Sequence, residues 1–88
     1  MGNKKVIVYT SPTCGACNMV KSQIPGSKYE SLFEIRSIHG ADGHENLEFI
    51  KSKGFSSIPV IQIIGETAEE FHVGFIPMNK INESIERI

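Results

Sequence analysis

The chain has 88 residues, of which 40% are hydrophobic and 22% charged, and a formal net charge of −1, the balance of one soluble globular domain over residues 1–88. No basic excess exists to hold a phosphate backbone, which argues against nucleic acid as a partner, and eight Gly with four Pro are too few for a disordered or fibrous chain. The two cysteines, Cys14 and Cys17, lie too close in sequence to staple a fold, so they point to chemistry instead.

Taken in chain order, Lys5-Val6-Ile7-Val8-Tyr9 is a β-branched run without alternation, as a strand buried on both faces requires. Ser11 and Pro12 then turn the chain. From Gly15 the apolar positions Ala16, Val20 and Ile24 recur at helical spacing, until Pro25-Gly26 stops the helix. Leu32 to Ile38 follows as a strand whose Phe33 and Ile35 alternate with polar residues. Asp42 and Glu45 make a capping-box pattern ahead of Leu47, Phe49 and Ile50. Lys51 and Lys53 suit the C-terminal end of that helix, and Gly54 suits its left-handed closing position.

Val60 to Ile64 is a second β-branched run. Gly65-Glu66 offers a tight reversal into Thr67–Val73, which predicts a hairpin. Pro77 suits a first helical position, and Met78, Ile81, Ile85 and Ile88 follow as one helical stripe for the core. The order is β-α-β-α-β-β-α. Strands joined through helices are expected to pair parallel and the hairpin antiparallel, giving a four-stranded mixed sheet with helices on both faces, an α/β architecture.

No apolar run approaches the roughly 20 residues of a membrane span; the longest, Ile58–Ile64, is interrupted by Pro59 and Gln62. The short apolar stretch after Lys5 is no signal peptide, and a lone C-x-x-C without export signals fits a reducing cytoplasm.

Cys14-Gly15-Ala16-Cys17 sits where a predicted strand ends and a helix begins. Unpaired backbone N–H groups and the positive end of the helix favour a thiolate there. Cys14 comes first and is the nucleophile; Cys17, one turn in, resolves a mixed disulfide formed at Cys14. A zinc site would need more ligands, and His39, His44 and His72 lack paired spacing; no metal is expected, and a metal-binding module stands only as an alternative. The histidines are expected to face solvent, with His72 alone placed to tune a thiolate. Glu69-Glu70 is expected to decorate an exposed face. A cis Ile58–Pro59 bond would reconcile Pro59 with the head of a strand, and a trans proline at the strand start is the alternative that these residues leave open.

Three segments carry a family resemblance over essentially the whole chain. Val8-Tyr9-Thr10-Ser11-Pro12-Thr13-Cys14-Gly15-Ala16-Cys17, Gly54-Phe55-Ser56-Ser57-Ile58-Pro59-Val60-Ile61 and His72-Val73-Gly74-Phe75-Ile76-Pro77 resemble, in this order, the active-site loop, cis-proline segment and late glycine signature of the thioredoxin-fold redoxins. The chain is most similar to NrdH-type redoxins, which are glutaredoxin-like in sequence and thioredoxin-like in activity. The resemblance implies the minimal thioredoxin fold, a redox-active Cys14–Cys17 disulfide and a cis Pro59 facing the cysteines. It implies a partner groove made by Pro12, Thr13, Ile58, Pro59, Val73, Gly74 and Phe75.

Where glutaredoxins hold glutathione with a Gly-Gly pair and polar residues, this chain has apolar Gly74-Phe75-Ile76-Pro77, and Ser11 stands where a basic residue is common. These departures favour recharging by a thioredoxin-reductase-type flavoprotein over glutathione, although a glutathione-dependent glutaredoxin is the alternative. No cofactor is expected on the chain itself; NADPH and FAD belong to the partner reductase. The implied clients are protein disulfides, ribonucleotide reductase among them, served by a monomer.

Overall fold

A computed structural model describes residues 4–41 and 43–88. Its elements are β1 (Lys5–Thr10), α1 (Gly15–Ser22), a 3₁₀ turn (Glu30–Leu32), β2 (Phe33–Ser37), α2 (Gly43–Ser52), β3 (Val60–Ile64), β4 (Glu69–Val73) and α3 (Met78–Arg87). The strands form one sheet in the order β2-β1-β3-β4. This is the thioredoxin fold.

β1 holds the centre because its alternate side chains feed two cores. Val6 and Val8 pack with Val20, Ile61, Ile63, Ile81 and Ile85 under α1 and α3. Ile7 and Tyr9 pack with Ile50 and Val60 under α2. Burial of each such aliphatic side chain contributes about 1.5–3 kcal/mol. On the α2 side, Tyr9 stacks on Phe49 at 5.6 Å and its hydroxyl donates to Gln62 Oε1 at 3.1 Å. Gln62 Nε2 in turn donates to Glu69 Oε1 at 2.9 Å, so the polar atoms of a side chain only 7% exposed are engaged.

β1 pairs parallel with β2 but antiparallel with β3, which corrects the expectation that each helical crossover gives a parallel pair. The connection from Lys53 to Pro59 carries the chain back to the end of the sheet it had left. β3 therefore starts with Val60 opposite Tyr9. β4 completes an antiparallel hairpin with β3, and the reversal runs from Gly65 to Ala68, closed by Gly65 N–H on Ala68 O at 2.7 Å. β4 starts at Glu69 rather than Thr67. Ile35, on the edge strand, remains 42% exposed.

Helix ends differ from the sequence pattern where side chains intervene. α1 stops at Ser22, short of Pro25, as the chain shifts to tighter turns through Gln23 N–H on Val20 O and Ile24 N–H on Lys21 O. Gln23 then spans to α3: its Nε2 donates to Ile76 O at 3.1 Å and its Oε1 accepts Met78 N–H at 2.9 Å. Pro77 is thus the N-cap of α3 and not its first helical residue; the capping acceptor comes from Gln23, the C-cap of α1. Asp42 of the capping-box reading lies outside the described residues, as do residues 1–3. Gly54 closes α2 with φ +88°, and Gly54 N–H bonds Lys51 O while Phe55 N–H reaches Ile50 O.

Two measurements test this account. Gln23→Ala removes both bonds between α1 and the start of α3 and is expected to cost about 1–3 kcal/mol in urea unfolding; an unchanged midpoint would contradict the clamp. Arg36 and, next, Lys5 hold the Glu34 carboxyl down to about 2 from its ordinary 4.5. That contribution is complete above pH 4.5 and lost as pH falls toward 2. Glu34→Gln should therefore be less stable than the parent at pH 7 and equal to it near pH 2.

Candidate active site

The site forms at the end of the sheet where β1 hands over to α1. Ser11 is buried, its carbonyl accepts Cys14 N–H at 3.2 Å, and its hydroxyl lies 3.3 Å from the Thr13 hydroxyl. This compact turn leaves Pro12 and Thr13 exposed and delivers Cys14 to the N-cap of α1 with extended backbone, φ −95° and ψ 114°. An N-cap side chain accepts one of the otherwise unpaired N–H groups of the first turn. Here the acceptor is a sulfur: Cys17 N–H donates to Cys14 Sγ at 3.1 Å.

The two thiols occupy unlike surroundings. Cys14 is half-buried, Cys17 fully buried, and both are free. Burial first, then hydrogen bonding with the Cys14 sulfur, pushes the Cys17 thiol up to about 11, against the smaller opposing effects of the Ser11 backbone and the Lys21 charge. Desolvation wins because nothing positive touches the buried sulfur directly.

The Ile58–Pro59 bond is cis, and Ile58 O lies 3.9 Å from Cys14 Sγ. Pro59 is buried and its carbonyl accepts Gly74 N–H at 2.8 Å. Gly74 has φ +92°, a conformation that L side chains rarely adopt, and it lets β4 leave the sheet beside Pro59. Val73 and Phe75, on either side, are 45% and 42% exposed. The fold thus gathers Cys14, Ile58–Pro59 and Gly74 at one edge, with Val73 and Phe75 as its apolar flank and Pro12–Thr13 on the adjoining turn.

His72 does not join them. Its ring is half-buried, with Nε2 3.4 Å from Glu70 Oε1 and 3.5 Å from Ser84 Oγ of α3, so it serves the packing of α3 on β4. Glu70 is equally engaged, through Arg87 at 2.5 Å, and is no mere surface ornament; Glu69 holds Gln62. Among the described residues no group of three or more His, Cys, Asp or Glu is gathered to hold a metal ion, and no helix is long and apolar enough to cross a membrane. Gln23, which secures the segment after Phe75, escaped the sequence reading. Only its place next to a helix stop hinted at a capping role.

Known proteins bear directly on this arrangement. A family model described as Glutaredoxin matches residues 6–67. Among solved structures, a chloroplastic thioredoxin z is similar at 18% identity and TM-score 0.71, over 96% of this chain and 76% of its own. Thioredoxin-2, a component of the malaria parasite protein secretion machinery, is similar at 17% identity and TM-score 0.72, over 99% and 84%. Trichomonas vaginalis thioredoxin is similar at 17% identity and TM-score 0.67, over 98% and 78%. At such identities the structural likeness establishes the fold. No curated protein sequence matches the chain.

The unlike surroundings of the thiols predict selective chemistry. Brief iodoacetamide treatment of the reduced native protein at pH 8 is expected to alkylate Cys14 and spare Cys17, as read by peptide mass mapping. Cys17 should react only after unfolding. Equal labelling of both thiols in the native state would contradict the burial of Cys17.

Proposed function

The chain belongs to the glutaredoxin family and is a thiol–disulfide oxidoreductase working through its C-x-x-C pair, and on that premise we propose that it reduces protein disulfides with Cys14 as nucleophile and Cys17 as resolving thiol. The observation that carries this reading is the asymmetry of the pair: one sulfur half-buried at the N-cap, the other fully buried and held protonated one turn behind.

The exchange runs in two balanced steps. Cys14 Sγ, as thiolate, attacks one sulfur of the client disulfide; the client S–S bond breaks, a Cys14–client disulfide forms and the second client sulfur departs as thiolate. Cys17 then loses its proton and attacks Cys14 Sγ. The mixed disulfide breaks, Cys14–Cys17 forms, and the client leaves as a dithiol after taking up two protons, having gained the two electrons that the C-x-x-C pair has lost. The burial that keeps Cys17 protonated holds it in reserve until Cys14 has reacted. The groove for the client is assigned to Pro12, Thr13, Ile58, Pro59, Val73, Gly74 and Phe75.

We assign the recharging of the pair to an NADPH-fed flavoprotein of the thioredoxin-reductase type, in the manner of NrdH-type redoxins, with ribonucleotide reductase as the leading client and the reducing cytoplasm as the setting. What supports this over glutathione is the late segment. Val73 and Phe75 present apolar surface where a charged tripeptide needs polar partners, and Ser11 offers no cation and turns its hydroxyl to Thr13.

Three experiments test the reading. Cys17→Ser should accumulate mixed disulfides with client proteins, while Cys14→Ser should accumulate none and lose activity; the opposite pattern would reverse the roles. In the parent protein, resolution of the mixed disulfide should accelerate as pH rises from 7 to 9, because the Cys17 thiolate fraction grows; a flat profile would remove Cys17 from that step. NADPH consumption coupled through thioredoxin reductase should exceed that coupled through glutathione and glutathione reductase. Turnover confined to the glutathione arm would make the protein a glutathione-dependent glutaredoxin.

A further inference from the structure

β2 is the outer strand of the sheet: β1 covers one of its edges and, among the described residues, no strand covers the other. Backbone polar groups of successive residues point to alternate sides of a strand. Ile38 N–H reaches Thr10 O of β1 at 2.9 Å, so Glu34 and Arg36 also turn theirs to β1, while Phe33, Ile35 and Ser37 turn theirs outward. Phe33 N–H is already engaged by Glu30 O, and Ser37 O by Asn46 Nδ2 at 2.8 Å. The groups left open are the N–H and C=O of Ile35, the C=O of Phe33 and the N–H of Ser37. A groove of about 390 Å³ follows this edge, between the outer residues of β2 and His39, Ala41 and Asn46.

A second copy of β2, antiparallel and related by a two-fold axis at Ile35, matches this pattern group for group. Ile35 exchanges both bonds with Ile35 of the second copy, and each Ser37 N–H meets the Phe33 C=O of the other chain. The groups already engaged are the ones this register does not use. The side chains agree with the backbone. Glu34 of one copy lies opposite Arg36 of the other in the closer, non-hydrogen-bonded kind of pair, where opposite charges attract and like charges repel. Moving the axis to Glu34 or to Arg36 would instead set each charge against its own kind. On the opposite face the two Ile35 side chains, 42% exposed in the single chain, cover one another. Charged residues on an edge strand ordinarily prevent pairing; alternating in sign, they admit one register.

We propose that the chain forms a two-fold dimer by antiparallel pairing of β2 with β2 of a second copy, centred on Ile35, in place of the monomer implied by the family resemblance. The interface is isologous, each copy offering the same strand, and it joins the two sheets into one. Ile58–Pro59 and Gly74 flank β3 and β4, on the far side of β1 from β2, so both cysteine edges stay open to clients. The dimer does not rest on the roles assigned to Cys14 and Cys17.

Sedimentation velocity of the reduced, full-length chain tests it. The mass is expected to rise from 9.7 kDa toward twice that value between micromolar and millimolar protein. Glu34→Arg alone and Arg36→Glu alone each set like charges across the axis and should weaken association by about tenfold or more. An equal mixture of these two variants restores opposite charges at both contacts and should dimerise as the parent does. Disulfide reduction per chain is expected to be the same in every variant, so failure of the dimer and failure of the cysteine chemistry are read separately. A parent that stays monomeric at millimolar concentration leaves the edge to solvent or to another protein's strand and overturns the proposal. So does a dimer indifferent to both single reversals, or a mixture that stays monomeric. If either variant fails to fold by circular dichroism, Ile35→Lys decides: like charges at the axis should leave a monomer, and a persisting dimer would overturn the pairing.

Discussion

β1 is the constraint from which the remainder follows. Val6, Ile7, Val8 and Tyr9 are almost wholly buried, and they supply both cores while the strand's backbone pairs with β2 on one edge and β3 on the other. A strand so enclosed has one place to put a reactive loop, the end at which it leaves the sheet. The Ser11–Thr13 turn and Cys14 are fixed there by the same packing that makes the domain stable, so site geometry and fold stability share their residues. Loops positioned in this way by a rigid scaffold are where reactive groups concentrate.

The two thiols differ in surroundings with no charged side chain among the described residues bonded to either sulfur. One helical turn separates an N-cap sulfur, which receives a backbone N–H, from a sulfur sealed beneath the helix. Desolvation pushes the thiol of the second up. Position along a helix axis thereby substitutes for an acid–base partner. The apolar character of Val6, Ile7 and Val8, which leaves no acid near Cys17, fits this arrangement.

Around the cysteines the surface is held by bonds distant in sequence. Gly74 N–H on Pro59 O joins the late segment to the cis proline, and Gln23 holds Ile76 and Met78 against α1. The apolar flank of Val73 and Phe75 is therefore mounted on a frame fastened at both ends. On the other side of Ile58, α2 leaves part of the second core open. The cysteine edge lies between two partly apolar surfaces, the exposed Val73–Phe75 flank and the opening beside α2.

The sequence by itself determined the elements and the chemistry. β-branched runs marked β1 and β3 because such residues suit buried strands, and the helical stripe through Ile81 and Ile85 marked α3. C-x-x-C at a strand-to-helix junction marked the redox pair, because a helix N-terminus there is a local consequence of the backbone. What only the tertiary structure decided was how distant segments meet: the antiparallel pairing of β1 with β3, the capture of His72 by Glu70 and Ser84, the capping of α3 by Gln23 and the opening beside Ile58. Each depends on a chain reversal or a side chain reaching across elements, and no periodicity within a window records such an encounter. Local patterns encode which face of an element is apolar; packing alone settles what that face finds opposite.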